Sequence, residues 1–173
     1  MRRPLKFITR EKEWELINRL LTIVDSSKFH PDDTAVIMAS PDYSATVAMH
    51  LAHAWSRNGD MLPIIPVDVA YPDEDTEHYE VKFLNELEWL AKHNKLPKRF
   101  VLVEAGIIRG GNWKWLLACL HTYDYKREDI TLVALCENIH SAIKSDYVGE
   151  YYDDLSEELM FYFERFNKHW PIK

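Results

Sequence analysis

Short apolar runs and amphipathic segments alternate along most of the chain. Three of the runs are rich in aliphatic, β-branched and aromatic residues, a composition typical of strands buried on both faces of a parallel sheet. A fourth run, over residues 61–70, contains Pro63 and Pro66. Proline within a strand favours an edge of the sheet because it has no N–H to donate. The three buried runs cover residues 34–39, 100–103 and 130–136.

Segments with an apolar stripe at helical spacing fill the intervals between these runs. In the first of them Thr9 is placed to cap the helix N-terminus, and Trp14, Ile17, Leu21 and Val24 recur on one face. Strands and helices that alternate through short turns predict an α/β fold, with a mainly parallel sheet flanked by helices on both faces. The later helices are predicted over residues 45–57, 83–91 and 113–123, and a last strand or short helix over 157–163.

Length and charge narrow the class of protein. The 173 residues fit one domain, 1–173, and the 47% hydrophobic content is enough to form a core. A net charge of −7 argues against binding to nucleic acids or to anionic membranes, and no apolar run approaches the ~20 residues of a membrane span. Cys119 and Cys136 match no zinc or disulfide framework, so we expect a reduced, cytoplasmic protein.

A glycine-rich turn follows the buried run 100–103. Glu104 is expected to end that strand, a loop over residues 105–112 holds three glycines, and a helix starts at Trp113. A strand, a glycine turn and a helix in this order place backbone N–H groups at a helix N-terminus, where they favour an anion such as phosphate. The alternative is a tight connection in which glycine only supplies a positive φ.

Polar segments follow three of the predicted strands, over residues 40–44, 104–112 and 137–140. Because the carboxyl ends of parallel strands meet at one edge of a sheet, we expect these segments to form one site. For residues 40–44 the alternative is a simple N-cap of the next helix. His50 and His53 have a spacing that fits metal ligation, and residues 73–77 are acidic, but in both cases a solvated face is the preferred interpretation and no metal site is assigned.

The spacing in residues 100–112 resembles the loop that binds phosphoribosyl pyrophosphate (PRPP) in the type I phosphoribosyltransferases. In that family an apolar strand is followed by two acids, two or three variable residues, Thr or Ser, Gly, any residue, and Thr or Ser. Here Glu104 stands at the first acid, Ala105 at the second, Arg109 and Asn112 at hydroxyl positions, and Gly110 and Gly111 at the glycines.

A second segment, 144–149, has the sequence Lys-Ser-Asp-Tyr-Val-Gly. It is similar to the Lys-Pro-Asp-Phe/Tyr-Val/Tyr-Gly segment of the 6-oxopurine (hypoxanthine, guanine and xanthine) phosphoribosyltransferases. The resemblance implies that Lys144 faces the exocyclic oxygen of a purine, that Tyr147 stacks on the ring, and that the Val148 backbone contacts its edge. The alternative is a surface turn in which Tyr147 covers the sheet edge.

The resemblance implies transfer of a phosphoribosyl group from PRPP to a purine base, with Mg²⁺ neutralising the pyrophosphate and a small hood, built from the chain ends, holding the base. Glu104 would then meet the ribose hydroxyls as the catalytic residue. The 5′-phosphate would be bound by Arg109, Gly110, Gly111 and Asn112.

Three departures from the family pattern favour an alternative function. Ala105 removes a carboxylate. Arg109 and Asn112 replace hydroxyls, and the longer Arg109 side chain would fill space that the phosphate needs. Residues 40–44 lack the Arg and Gly of the pyrophosphate motif, and Glu137 adds negative charge where the family often has lysine. The alternative is a catalytically inactive protein of this fold that binds a nucleotide or a protein partner as a regulator or scaffold. The six tryptophans and nine tyrosines make a homodimer a further expectation.

Overall fold

The computed structural model describes residues 5–39, 41–67, 69–70, 80–81, 84–153 and 158–161. Strands and helices alternate over most of these ranges, apart from two short 3₁₀ turns, Ser26–Lys28 and Arg127–Asp129. In chain order the elements are β1 (Leu5–Ile8), α1 (Arg10–Ile23), β2 (Thr34–Ala39), α2 (Pro41–Ala54), β3 (Ile64–Val67), β4 (Val69–Ala70), β5 (Glu80–Val81), α3 (Leu84–Lys92), β6 (Arg99–Ile107), α4 (Gly111–His121), β7 (Ile130–Asn138), β8 (Tyr147–Tyr152) and β9 (Glu158–Phe161).

Five of the strands form one sheet in the order β3-β2-β6-β7-β8, and all of its pairings are parallel. The carboxyl ends of β2, β6 and β7 therefore lie at the same edge of the sheet. The prolines of the 61–70 run correctly indicated an edge, since β3 is one of the two outer strands. The described part of the chain also contains two small sheets, a parallel pair of β1 with β9 and an antiparallel pair of β4 with β5.

Helices cover both faces of the sheet, as the sequence predicted. On one face Leu16 and Leu20 of α1 and Leu51 of α2 pack into a buried cluster with Val101 and Val133 of the central strands. On the other face α3 and α4 pack into a second cluster that includes Leu87, Trp113, Leu116, Leu102 and Leu132. The two clusters bury both faces of β6 and β7, which explains why these strands lack the alternation of a half-exposed sheet.

Several predicted boundaries were wrong, and the largest error concerns Glu104. It does not end the strand, because β6 continues to Ile107. Glu104 pairs with Ala134 of β7, and both are buried, so the neighbouring strand holds the backbone extended beyond the apolar run. The loop expected over residues 105–112 shrinks accordingly, since α4 already begins at Gly111. The helix expected from residue 45 begins at Pro41.

The predicted start of α1 was confirmed, whereas the first strand of the chain was missed. Thr9 is the N-cap that the sequence predicted, and its hydroxyl accepts a hydrogen bond of 3.2 Å from the Lys12 amide. Strand β1 was missed, because its partner β9 lies at the opposite end of the chain. This pair is the part of the chain that the sequence assigned to a hood, and contact of a hood with a base stays a prediction.

Some expectations fall outside the described residues. They are Ser40 of the segment 40–44, the acidic residues from 73 to 77, and residues 157 and 162–163 of the last expected strand or helix. The assignment of one domain to 1–173 also stays a prediction. None of the helices in the described ranges combines the length and the apolar character needed to cross a membrane.

Candidate functional site

Glu104 is the centre of a buried hydrogen-bond network at the carboxyl end of β6. Its side chain is 2% exposed, and each carboxylate oxygen accepts a hydrogen bond. Ser44 Oγ, in the first turns of α2, donates to Oε1 over 3.0 Å, and Asn112 Nδ2, in the first turn of α4, donates to Oε2 over 2.9 Å. Ser44 Oγ also accepts from the Ala105 amide over 3.0 Å. The network joins two helix N-termini to one strand end.

These bonds restrict what the Glu104 carboxylate can do. Hydrogen bonds to a charged group contribute about 1.5–3 kcal/mol each, and a buried carboxylate that loses its donors also bears a desolvation cost. For Glu104 to contact the hydroxyls of a bound ribose, it would have to exchange the bonds from Ser44 and Asn112 for bonds to the ligand. In this structure the carboxylate is held within the protein.

The turn between β6 and α4 depends on Gly110. Its backbone is left-handed, with φ 78° and ψ 14°, a conformation that glycine adopts without strain. A Cβ at this position would lie 2.8 Å from Ser141 Oγ and 3.0 Å from the Ile143 amide nitrogen, so the loop after β7 packs directly against it. A Cβ on Gly111 would have no atom within 4 Å, which leaves that side of the turn open.

The open side of this turn has features suited to an anion. The amides in the first turn of a helix have no intrahelical partner, and Gly110 offers no side chain to cap them. The positive end of the α4 dipole lies at the same place. The Arg109 side chain is exposed beside the turn. By contrast, the Asn112 side chain is buried and directed at Glu104.

The loop after β7, residues 139–146, packs against this turn. The Ala142 amide donates to the Arg109 carbonyl over 3.3 Å. Farther along the loop, Ser145 Oγ accepts from Trp113 Nε1 of α4 over 3.0 Å. Ser141 Oγ donates to the Ile143 carbonyl over 2.7 Å and so stabilises the loop internally. The loop is therefore fixed to both the glycine turn and the side of α4.

Glu137 lies beneath this loop at the end of β7 and is fully buried. Its Oε2 accepts a hydrogen bond of 2.8 Å from the Ser145 amide, and its Oε1 lies 3.6 Å from Lys144 Nζ. The same ammonium donates to the carbonyls of Ile139, over 2.6 Å, and Asn138, over 3.3 Å. Lys144 thus lies beside the end of β7 with its ammonium directed at the protein, and its expected contact with a purine oxygen stays a prediction.

Tyr147 and Val148 lie deeper in the sheet. They begin β8 and pair with Val133 and Ala134 of β7, and Ala134 is also the register partner of Glu104. The Tyr147 ring packs half-buried against the core beneath α1 and α2, and Val148 is buried. The structure thus places these two residues three to five positions before the ends of β6 and β7, and their proposed contacts with a purine stay predictions.

Residues of the described ranges do not form a protein-held metal site. They contain no cluster of three or more His, Cys, Asp or Glu side chains able to bind a metal ion. His50 instead makes an edge-on contact with the Trp14 ring, with centroids 4.4 Å apart. The oxygens of Glu104 are engaged by Ser44 and Asn112, and Ala105 supplies none. These residues therefore do not fit a directly bound Mg²⁺.

Two cavities that the described residues enclose lie away from this site. One, of about 380 Å³, is at the amino end of β2 and is polar; the other, of about 370 Å³, is an apolar groove between the edge strand β3 and α3. Neither contains a residue that the sequence assigned to the site. The first is lined by His30, Pro31, Asp32, Arg57, Asn58 and Asp60, and the second by Ile65, Glu86, Trp89 and Leu90.

The three polar segments at the strand ends meet, as the sequence predicted. Segment 40–44 contributes Ser44, which the sequence grouped with the site but to which it gave no role other than capping. Ser145 and Trp113 were missed as part of the site. No local signal could have identified them, since their contact joins a helix and a loop that lie 32 positions apart.

The fold is shared with known purine phosphoribosyltransferases. A purine phosphoribosyltransferase from Pyrococcus horikoshii OT3 superposes with a TM-score of 0.66 at 17% identity, covering 91% of this chain and 92% of that one. The xanthine-guanine-hypoxanthine phosphoribosyltransferase of Helicobacter pylori gives 0.64 at 12% identity, with 94% of each chain covered. A hypothetical protein from Neisseria gonorrhoeae with bound ppGpp gives 0.60 at 19% identity, covering 92% and 89%.

Sequence comparisons do not extend this result. No family model matches the chain, and no curated protein sequence matches it. At identities of 12–19% the structural likeness concerns the fold. The chain therefore has the α/β fold of the type I phosphoribosyltransferases, as the PRPP-loop resemblance implied.

Proposed function

We propose that this protein binds a purine nucleotide, or PRPP, and does not transfer the phosphoribosyl group. The observation that carries the proposal is the position of the Glu104 carboxylate, which is buried and accepts hydrogen bonds from Ser44 and Asn112. The residue that the family resemblance assigns to the ribose is thereby tied into the protein, while the turn that it assigns to the phosphate stays open at Gly111.

The glycine turn supports binding of the 5′-phosphate. Gly110 permits the left-handed backbone that starts α4, and first-turn amides of a helix stabilise an anion together with the helix dipole. The open space at Gly111 lets a phosphate approach the backbone closely. The exposed guanidinium of Arg109 would add a charge-assisted hydrogen bond, the strongest kind that a phosphate oxygen accepts.

A purine is supported by one sequence segment and by the ligands named for the structural neighbours. The segment 144–149 keeps the Lys-x-Asp-Tyr-Val-Gly pattern that resembles the base-binding segment of the 6-oxopurine enzymes. Two structural neighbours are named as purine or xanthine-guanine-hypoxanthine phosphoribosyltransferases, and the third was determined with ppGpp, a guanine nucleotide. A guanine or hypoxanthine nucleotide is therefore the ligand we expect.

The proposed lack of phosphoribosyl transfer is explained by the groups that the reaction needs near the ribose. Transfer from PRPP passes through an oxocarbenium-like centre, so catalysis depends on groups positioned to stabilise charge at the ribose. Ala105 supplies no carboxylate, and releasing Glu104 would cost two buried, charge-assisted hydrogen bonds. Binding at the phosphate turn does not need either carboxylate.

An active purine phosphoribosyltransferase is the second candidate. It is favoured by the position of Glu104, which lies at the carboxyl end of β6 just ahead of the glycine turn. In this case Glu104 exchanges its bonds from Ser44 and Asn112 for the ribose hydroxyls when the ligand binds. Mg²⁺ would enter with PRPP as the cofactor that neutralises pyrophosphate.

Isothermal titration with matched ligands tests the proposed binding. GMP and IMP are expected to bind saturably, with guanosine at least about tenfold weaker because it lacks the phosphate that the turn accepts. Titration with AMP measures the preference between purine bases, and titration with PRPP measures binding without a base. Absence of saturable binding by any of the phosphorylated ligands to folded protein would overturn the proposal.

A cytoplasmic location and a homodimer or protein partner stay predictions from the sequence.

A further inference from the structure

We propose that Glu137 and Lys144 are a positioning pair that clamps the loop 139–146 against α4, so that the phosphate turn and the segment leading to Tyr147 form one preorganised surface. The inference rests on the proposed binding of a purine nucleotide. It assigns Glu137 a role, and it gives Lys144 a role other than direct contact with the base.

Glu137 is a buried carboxylate that needs a compensating charge. Its side chain is fully buried, and its Oε2 accepts from the Ser145 amide over 2.8 Å. Oε1 has no hydrogen-bond partner among the described residues, and the Lys144 ammonium lies beside it, with Nζ at 3.6 Å. A buried carboxylate requires a compensating charge, and removal of that partner is strongly destabilising. Lys144 supplies this charge from the loop itself.

The Lys144 ammonium is surrounded by acceptors at the end of β7. Its ammonium has three N–H groups and faces three acceptors, which are the Glu137 carboxylate and the carbonyls of Asn138 and Ile139. All three acceptors belong to the end of β7 and the start of the loop. The side chain therefore folds back over the strand it follows and holds the loop closed across Glu137.

The remaining contacts of the loop link this clamp to the phosphate turn. Ser145 is held on one side by Glu137 and on the other by Trp113 of α4. The Ala142 amide bonds to the Arg109 carbonyl, and Ser141 lies where a Cβ of Gly110 would clash. A change at the clamp is therefore transmitted to the turn that would bind phosphate.

The far end of the loop is fixed separately. Asp146 exchanges hydrogen bonds with the Leu132 backbone, donating to its carbonyl over 2.9 Å and accepting from its amide over 2.8 Å. This anchor sets the start of β8 and survives a change at Lys144. Loss of the clamp is therefore expected to loosen residues 139–145 without unfolding β8.

Affinities of three variants for GMP and for ribose 5-phosphate test the proposal. Lys144→Met leaves the Glu137 charge buried without its partner and is expected to weaken both ligands by about tenfold, because the turn and the loop move together. Glu137→Gln/Lys144→Met removes both charges while glutamine retains an acceptor for the Ser145 amide. It is expected to bind both ligands within about threefold of the parent protein. Lys92→Met, at the exposed end of α3, is the control for the lost positive charge.

Two results would overturn the positioning role. If Lys144 contacts the base directly, Lys144→Met weakens GMP but not ribose 5-phosphate, and the double variant remains weak. If the pair only stabilises the fold, Lys144→Met unfolds more readily but binds both ligands as the parent does. If Lys144→Met fails to fold, the double variant alone tests the positioning role. Affinity of the double variant for both ligands close to that of the parent protein supports this role, and weaker binding of GMP contradicts it. Failure of the folded parent protein to bind GMP, IMP, AMP or PRPP would instead refute the proposed function.

Discussion

Ser44 Oγ lies 3.0 Å from Glu104 Oε1 and 3.0 Å from the Ala105 amide nitrogen, so one hydroxyl fastens α2 to the carboxyl end of β6. The hydroxyl donates to the carboxylate and accepts from the amide, so both its hydrogen and an oxygen lone pair are paired although the side chain is fully buried. The two residues lie 60 positions apart in the sequence. Their contact determines whether Glu104 is available to a ligand.

Replacing Ser44 by alanine should destabilise the fold. Ser44→Ala leaves the Ala105 amide and one oxygen of Glu104 without this partner, and each buried group that loses its bond costs about 1–3 kcal/mol. We expect the free energy of unfolding, measured by urea denaturation, to fall by about 2–4 kcal/mol. Ser56→Ala, at a half-exposed serine just after α2, should change it by less than about 0.5 kcal/mol. Equal effects of the two changes would show that the network is not formed.

The two glycines of the turn should respond differently to alanine. Gly110→Ala introduces a Cβ into a left-handed residue and against Ser141, so unfolding should become easier by about 2 kcal/mol or more. Gly111→Ala meets open space in the first turn of α4 and should leave stability unchanged or raise it by about 0.5 kcal/mol. The same Cβ obstructs the approach of a phosphate, so GMP affinity should fall by about tenfold. Parental GMP affinity in Gly111→Ala would place the phosphate elsewhere.

Arg109 provides a test of the charge at the turn. Arg109→Ala removes an exposed side chain, so stability should be unchanged while affinity for GMP falls by about tenfold through loss of a charge-assisted bond. The salt dependence of the affinity should also weaken, because screening acts on that charge. Arg19→Ala, on the exposed side of α1, changes the net charge equally and should have no effect on binding. If the Arg109 variant binds as the parent does, Arg109 is not a phosphate ligand.

Tyr125 should make stability fall at high pH. Burial, followed by the nearby Asp129 charge, raises the pKa of Tyr125 to about 12 from its ordinary value of 10.0, and its hydroxyl donates to the Pro97 carbonyl over 2.5 Å. Between these two pKa values the unfolded chain releases the proton and the folded chain retains it, so stability is complete below pH 10 and declines toward pH 12. Tyr125→Phe should lose about 1 kcal/mol at neutral pH.

The comparison is made by urea denaturation at several pH values. The difference in unfolding free energy between the parent and Tyr125→Phe should shrink and then change sign as the pH rises from 10 toward 12, because only the parent has this proton to lose. Other ionisable groups are common to both proteins and cancel in the difference. A difference that stays constant over this range would contradict the raised pKa of Tyr125.

The layered fold could be predicted from the sequence because its signals are local. Continuous apolar runs without the alternation of a half-exposed strand marked β2, β6 and β7. The Thr9 cap and an apolar stripe marked α1, and helical spacing of apolar residues marked α4. The ends of these elements were less accurate. Glu104 was placed outside β6 because a carboxylate normally avoids a buried strand, and hydrogen bonds such as those from Ser44 and Asn112 make that position favourable.

The site was predicted in outline and not in its contacts. The three polar segments were expected at one edge of the sheet, and the parallel topology brings them there. Which side chains pair within that edge depends on distances between residues such as Trp113 and Ser145, or Glu137 and Lys144, that no sequence spacing encodes. Strand β1 and its pairing with β9 were missed for the same reason, whereas a strand was one of the two expectations for the region of β9.

A search for reaction products tests whether this protein transfers the phosphoribosyl group. Folded protein is incubated with PRPP, Mg²⁺ and a mixture of hypoxanthine, guanine, xanthine and adenine, and nucleoside monophosphates are measured by mass spectrometry, with a known purine phosphoribosyltransferase as the positive control. We predict that no nucleoside monophosphate forms, although GMP binds the same preparation. Formation of a nucleoside monophosphate by this protein would contradict the account, because it would show that Glu104 leaves Ser44 and Asn112 and that Ala105 is compatible with transfer.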